Sequence, residues 1–434
     1  MAKIRFKRDK EVRPLTKEEK TNLIIRAVLF FLLLGGGLTA IGFGVKSCAT
    51  TKPGYYVIEG DTDPDIKGYD DGSIKLTFYV DGDSATSDYK EVTKIYSESM
   101  KLSFATINKY NHINAYSTLY DINNAPYGTE IEVNNFLYNT LKECYSYSES
   151  YSNYSLFNGP IYDFWEYLFT MDSSLHEQND PLNNKEHEEY LSSLMDVINN
   201  KDNYSLSFND EKKAVTLNIS EEYQSFIDNR YKYRETKLPI LSFNVLEDAI
   251  RINHLAASLK ERGYTRGYIS SDNGLLMHLG GLENTQYNLI DYISEGIYRQ
   301  AGIIKIDGRS VANSFRRFEI NNRLYSPYYS FKKGEETIYR SSYIDNSTGY
   351  PTDYFSATNL YSTSLSPIET SLLNNELIKC SSLEETKEMI KLEMFNNINI
   401  AFTCFKSEKT IYLTNNLKDY LTIKEELDYN LIEL

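Results

Sequence analysis

The stretch SSYIDNSTGYP, residues 341 to 351, holds a single carboxylate, Asp345, in a setting where it could do chemistry. Gly349 can take a positive φ and Pro351 cannot continue a helix, so the stretch ends in a turn. An Asp at a turn usually holds backbone amides; facing a cleft, the same group can hold a metal or a substrate. Other chemistry is sparse. Histidines stand at 112, 176, 187, 254 and 278, and none forms an HxxxH or other metal-site spacing. Asp61, Asp63 and Asp65 imitate the start of a calcium loop, but the positions that need glycine and glutamate are Ile66 and Gly72. Cys144, Cys380 and Cys404 form no CxxC pair and are expected as buried structural thiols. No phosphate-binding loop, nucleophile elbow or GxGxxG motif falls at a strand-turn-helix junction.

The elements that must position these residues begin with an anchor. Ala27 to Val45 is an uncharged, mostly apolar run between Arg26 and Lys46, long enough as a helix to cross a hydrocarbon layer of about 30 Å. Residues 1 to 26 carry nine Lys/Arg and four Asp/Glu, a local +5, which predicts a cytoplasmic tail and an extracellular remainder on a single-pass protein of the cell membrane. Subtracting that tail from the formal net charge of −15 leaves −20 after Arg26, which argues against a nucleic-acid partner. Cys48 follows Val45-Lys46-Ser47, a poor lipoprotein cleavage sequence. Residues 47 to 72, rich in Gly, Pro and Asp, read as an extracellular linker.

From Ser73 the chain alternates between helical and strand periods. SIKLTFYV (73 to 80) reads as a strand; 89 to 107, 130 to 149 and 245 to 261 read as amphipathic helices, the last closed by Gly263. Short strand-like runs follow at 267 to 270, 302 to 306, 317 to 320 and 400 to 405. This interleaving without a strict βαβ period predicts a mixed α+β domain. Residues 172 to 203, polar and containing His176 and His187, are expected as a surface insertion, and 414 to 434 as a C-terminal extension.

The order of motifs over 73 to 413 resembles the ApbE family, the FAD:protein FMN transferases. YSTLYDINNAPYGTEIEVNNFLYNTLKEC (116 to 144) is similar to the segment before that family's substrate-facing loop. NYSLFNGPIYDFW (153 to 165) is similar to GaFDpTvgPlvdlW, with Gly159, Pro160 and Trp165 in register. Ser326-Pro327-Tyr328-Tyr329 falls where the family has Ser-Gly-x-Tyr, and SYIDNSTGYP where it has HIIDPxTGyP. The resemblance implies a bilobal ApbE-like domain. It also implies FAD as substrate or ligand, a magnesium ion, and transfer of FMN to a Thr or Ser of an extracellular acceptor protein. Carried onto this chain, it places Asp345 and Ser342 (the family's His) at the catalytic loop. Asp248, Asn273, Gly274, Ser326, Tyr328, Thr348 and Gly349 fall on the flavin-nucleotide side, and Ser371 and Asn375 at the metal.

Several of these positions have changed their chemistry. Ser371 and Asn375 stand where the family has Asp and Thr, and a hydroxyl and an amide lack the carboxylate charge that grips magnesium. Glu369 is a candidate substitute ligand, two residues off the helical face. Asn244 to Ala249 aligns with the family's Gly-Gly-Ile-Ala-Lys-Gly, which puts Asp248 where a cation would meet a pyrophosphate. The family's Asp and Thr in FDpT become Ser155 and Phe157. The expectation is a divergent ApbE-like protein with catalysis weakened or lost, or a flavin-binding or partner-binding pseudoenzyme on the same scaffold.

Overall fold

The alternating run at 74 to 80 forms a strand with Ile74, Leu76 and Phe78 turned into the core. The computed structural model describes residues 51–60, 74–230, 237–280, 286–294, 297–305, 311–313, 319–320, 323–324, 328–396, 398–414 and 417–434. The expected membrane span, most of the expected linker and Ser326 lie outside the described residues. Among the described residues no helix is long and apolar enough to cross a membrane. The chain divides into two compact units, one of Met1–Pro53 with Val80–Tyr89, the other of Gly54–Tyr79 with Lys90–Leu434. In the first, the Thr51 amide donates to Thr86 Oγ1 at 2.9 Å, and the Ser84 hydroxyl donates to Asp88 at 2.6 Å.

The second unit carries a mixed helix and strand fold. Its main sheet has nine strands: β1 (Gly54–Glu59), β2 (Ile74–Val80), β3 (Gly267–Ser271), β4 (Leu276–Gly280), β5 (Val311–Asn313), β6 (Phe355–Ser362), β7 (Asn399–Cys404), β8 (Ser407–Leu413) and β9 (Asn430–Glu433). Their order across the sheet is their order along the chain. Pairing is antiparallel from β2 to β8 and parallel between β8 and β9. Both faces of β6 and β7 are covered, so these strands read as apolar runs rather than as alternation. Leu360, Ile400 and Phe402 pack with Leu373 and Leu377 on one face, while Tyr361 and Ala401 pack with Tyr287, Leu289 and Ile304 on the other.

The helices that bear on function are α1 (Ala85–Thr106), α2 (Asn135–Ser150), α3 (Gly159–Phe169), α4 (Lys185–Asn199), α5 (Glu247–Glu261), α6 (Pro367–Leu377) and α7 (Leu383–Met389). Three sequence expectations change. Residues 54–59, assigned to the linker, form the edge strand β1, since Tyr56 and Ile58 alternate toward the sheet. Residues 172–203 are not a surface insertion. His187, Tyr190, Leu191, Leu194 and Met195 of α4 are buried, and so is Asp180, whose carboxylate takes bonds of 2.9 and 3.1 Å from Arg340 and 2.9 Å from the Tyr329 hydroxyl. Residues 417–434, within the expected C-terminal extension, are integral as well, because Leu421–Ile423 pairs with the strand Ile297–Lys305 and β9 closes the main sheet.

Candidate functional site

Helix α6 starts at a Ser-Pro pair. Ser366 caps it by accepting from the Glu369 amide at 3.2 Å, and Glu369 returns the bond by accepting from the Ser366 amide at 2.8 Å. This reciprocal cap fixes the helix against β6 with nearly every side chain buried, including Asn374, Asn375 and Glu376. Three polar side chains in succession inside a core helix need partners on several sides. Asn374 accepts from Thr358 at 2.6 Å and donates to the Tyr343 hydroxyl at 2.8 Å.

The neighbouring pair is tied to one residue, Asn153. Its Nδ2 donates to the Asn375 carbonyl at 2.7 Å and the Ile344 carbonyl at 3.3 Å; its Oδ1 accepts from the Asn346 amide at 2.8 Å. Its backbone carbonyl accepts from Asn375 Nδ2, and its amide donates to Glu376 at 2.6 Å. Asn153 therefore fastens the segment before α3, the loop at 344–346 and helix α6 into one knot. Glu376 also takes Ser152 Oγ at 2.9 Å and Lys379 Nζ at 2.7 Å, so the ammonium at the edge of the knot is already neutralised.

The Asp345 loop is braced from below. Asp345 Oδ1 accepts from the Ser347 amide at 2.8 Å and hydroxyl at 2.7 Å, and Oδ2 from Thr348 Oγ1 at 3.3 Å. Gly349 takes φ +74°, a Cβ there would lie 2.5 Å from Met195 Sδ, and its carbonyl accepts from Trp165 Nε1 at 2.7 Å. Outside the loop opens a cleft of about 710 Å³ lined by Asn153, Asp345, Lys379, Cys380, Glu384 and Met389. Burial pushes the Cys380 thiol up to about 11, so the sulfur stays protonated at neutral pH.

Solved structures share this frame. The chain matches the ApbE protein of Thermotoga maritima with a TM-score of 0.57 at 11% identity, over 85% of this chain and 99% of that one. It matches the flavin transferase ApbE from Vibrio cholerae with a TM-score of 0.53 at 13% identity, over 85% of this chain and all of that one. This chain has the ApbE fold. No protein-family model matches the sequence, and no curated protein does. At such identity the likeness carries the backbone and leaves the chemistry to these residues.

On the ApbE frame the remaining site positions fall in separate places. Asn244, set against a family glycine by the sequence resemblance, takes φ +53°, the left-handed conformation that Asn tolerates best after Gly. Asp248 opens α5 and is paired with Arg251 at 3.0 Å, while Asn273, in the β3–β4 turn with Gly274 at φ +80°, donates to it at 2.8 Å. That neighbourhood answers the charge of Asp248 from within the protein, so the expected repulsion of a pyrophosphate is partly compensated. The next cation, Lys109, is buried between Glu166 at 3.6 Å and Glu247 at 3.7 Å; burial and the Glu166 charge raise the nearby Tyr110 well above its ordinary pKa. Ser342 is 1% exposed and Tyr328 5%, the latter packed on Phe405 at 4.8 Å. Thr348 is exposed.

The donor set does not fit a magnesium ion, which asks for carboxylate and water oxygens in octahedral array. Ser371 is 2% exposed and neutral. Asn375 offers a buried Oδ1 without a hydrogen-bond partner, a single neutral oxygen in place of an anionic one. Glu369 is committed to the helix cap, and both oxygens of Asp345 to its own turn. Among the described residues no group of three His, Cys, Asp or Glu side chains is placed to share a metal. Sequence reasoning missed Asn153 and Glu376. Asn153 opens the NYSLFNGP motif, and Glu376 is a carboxylate on an otherwise buried helix face, a signal open to anyone reading for buried charge.

Proposed function

We propose that this chain is a flavin-handling protein of the ApbE fold in which magnesium-dependent transfer of FMN from FAD to an acceptor protein is weakened or lost. It is held outside the cytoplasmic membrane by the apolar segment 27–45, and it uses the retained frame to bind a flavin or a partner protein of extracellular electron-transfer machinery. The observation that carries the reading is the knot around Asn153. Helix α6, where the resemblance would set the metal, presents Asn375, whose Nδ2 and backbone carbonyl are bonded to residue 153, and Glu376, whose carboxylate is bonded to residues 152 and 153. A cation entering there would have to break those bonds before gaining any of its own, in a low-dielectric setting where unmade bonds are costly.

The test is an incubation of the full chain with FAD, magnesium and a flavinylation acceptor, with an active ApbE transferase alongside. The expected result is no AMP and no fluorescent conjugate above background, together with saturable flavin binding. Magnesium-dependent AMP release matching the control would overturn the loss of catalysis, and absence of any flavin binding would overturn the flavin reading.

A further inference from the structure

The two faces of the sheet edge formed by β1, β2 and β3 are finished differently. Ile58, Ile74, Leu76, Phe78 and Ile269 point inward and are buried, and the Tyr96 hydroxyl of α1 donates to the Ile74 carbonyl there. The alternate residues point outward: Tyr55 and Val57 from β1, Thr77 and Tyr79 from β2, and Tyr268, which stands opposite Thr77 in the β2–β3 pair. Tyr55 is 53% exposed and Val57 55%, whereas β6 and β7 are covered on both faces. The outward side chains hold one another. Tyr55 meets Tyr79 edge-on at 5.0 Å, and the Arg266 guanidinium lies 3.9 Å from the centre of the Tyr79 ring. An exposed apolar strip marks a contact surface, and amphipathic rings beside an arginine are the composition that settles at a membrane–water interface.

The strip's place in the chain points to the surface it meets. Gly54, where β1 begins, comes nine residues after Val45, the end of the apolar segment 27–45. At no more than about 3.6 Å per residue, that connection spans about 30 Å when fully extended. Tyr55 stands at the start of β1 and Tyr79 at the end of β2, and the Tyr79 amide donates to the Arg266 carbonyl at 3.0 Å. The ring pair and the cation therefore occupy the end of the sheet edge that the tether enters, within reach of a bilayer holding 27–45. Asp81 and Asp83 follow β2 in the sequence, which disfavours anionic headgroups and leaves the attraction to the rings and Val57.

We propose that the outward face of β1, β2 and β3 rests on the surface of the bilayer beside the anchor. Tyr55, Val57 and Tyr79 lie in a zwitterionic headgroup layer, and Arg266 meets lipid phosphate. The contact gives the domain a membrane-facing side and holds the opposite edge strand, β9, away from the membrane. The inference rests on the anchored reading of segment 27–45 and goes beyond it by fixing the orientation of the domain.

The experiment reconstitutes the full chain in phosphatidylcholine vesicles, with Cys48→Ser and the other three cysteines buried. An NBD fluorophore is attached at Tyr55→Cys or, as reference, at Asn430→Cys on the exposed far edge, about 40 Å across the sheet at about 4.8 Å per strand. Flotation after carbonate extraction reads the anchor, while quenching by headgroup-nitroxide lipid and by aqueous iodide reads the face. Lipid nitroxide should quench the probe at position 55 several-fold more than at 430, and iodide should do the reverse. Val57→Glu, a change at an exposed position, should abolish most of that difference with an unchanged melting temperature. Equal lipid quenching at both positions in chains that float overturns the proposal and leaves the anchor standing. A lipid contact that survives Val57→Glu overturns the assignment to this strip. Shielding from iodide without lipid quenching, growing with protein density, gives the face to a second copy of the chain and overturns the proposal too. A chain that fails to float overturns the anchored reading, and this inference with it.

Discussion

Two neighbouring regions on either side of residues 152–158 handle buried polarity in opposite ways. At the knot, Asn153, Glu376 and the Asn375 amide nitrogen are bonded to one another and to backbone, and Asn375 Oδ1 is left over. In the neighbouring cleft of about 540 Å³, lined by Tyr145, Phe157 and Tyr204, Asn346 leaves an amide oxygen unanswered. The difference separates architecture from recognition. A side chain whose donors and acceptors are consumed internally holds the fold, and one that keeps an unused atom against a cavity is free to meet a ligand. By that criterion Asp345, the carboxylate that first drew notice, belongs with architecture.

Breaking the knot should give the largest effect. Asn153→Ala strands the buried Asn375 and Ile344 carbonyls and the Asn346 amide, with an expected loss of about 3–5 kcal/mol in urea unfolding. A loss under about 1 kcal/mol would mean the knot is not what joins these segments. Next comes acid. His278 is buried in β4 against Tyr287 at 5.3 Å with neither ring nitrogen bonded, and burial holds its pKa down at about 4. The unfolded chain therefore takes up a proton near pH 6.5 that the folded chain refuses until about 4, so stability declines as pH falls through that window, by up to about 3 kcal/mol. His278→Leu should flatten that part of the stability curve.

A milder change sharpens the comparison at α6. Glu369→Ala removes the reciprocal cap and should cost about 1 kcal/mol in thermal unfolding without altering any response to magnesium. A change in magnesium response would return Glu369 to the role of substitute ligand. The smallest effect is expected across the divide: Tyr154→Phe should leave unfolding within about 1 kcal/mol of wild type, because the hydroxyl it deletes loses only a weak bond to the Cys144 sulfur.

What the sequence disclosed follows from how local each signal is. Helices α1 and α5 and strands β2, β3 and β7 could be placed from periodicity, since each buries one stripe or one run of neighbouring residues. The nine-stranded sheet could not, because it joins β2 to β3 across 186 intervening residues (81 to 266) and recruits β1 and β9 from stretches that read as linker and extension. Polar composition misled at 172–203, where Asp180 and His187 face inward and find Arg340 and the Asn179 carbonyl. The left-handed Asn244 and the tight packing at Gly349 went unread, although the motif order that contains both positions led to the ApbE frame. The knot stayed hidden because its partners lie 191 to 223 residues apart in the chain.

The central claim is that α6 and its surroundings grip no divalent cation beside a bound nucleotide. It is tested most directly by titrating the full chain with FAD in magnesium and again in a chelator. Superimposable binding curves are expected; a tenfold or greater tightening by magnesium would contradict the claim.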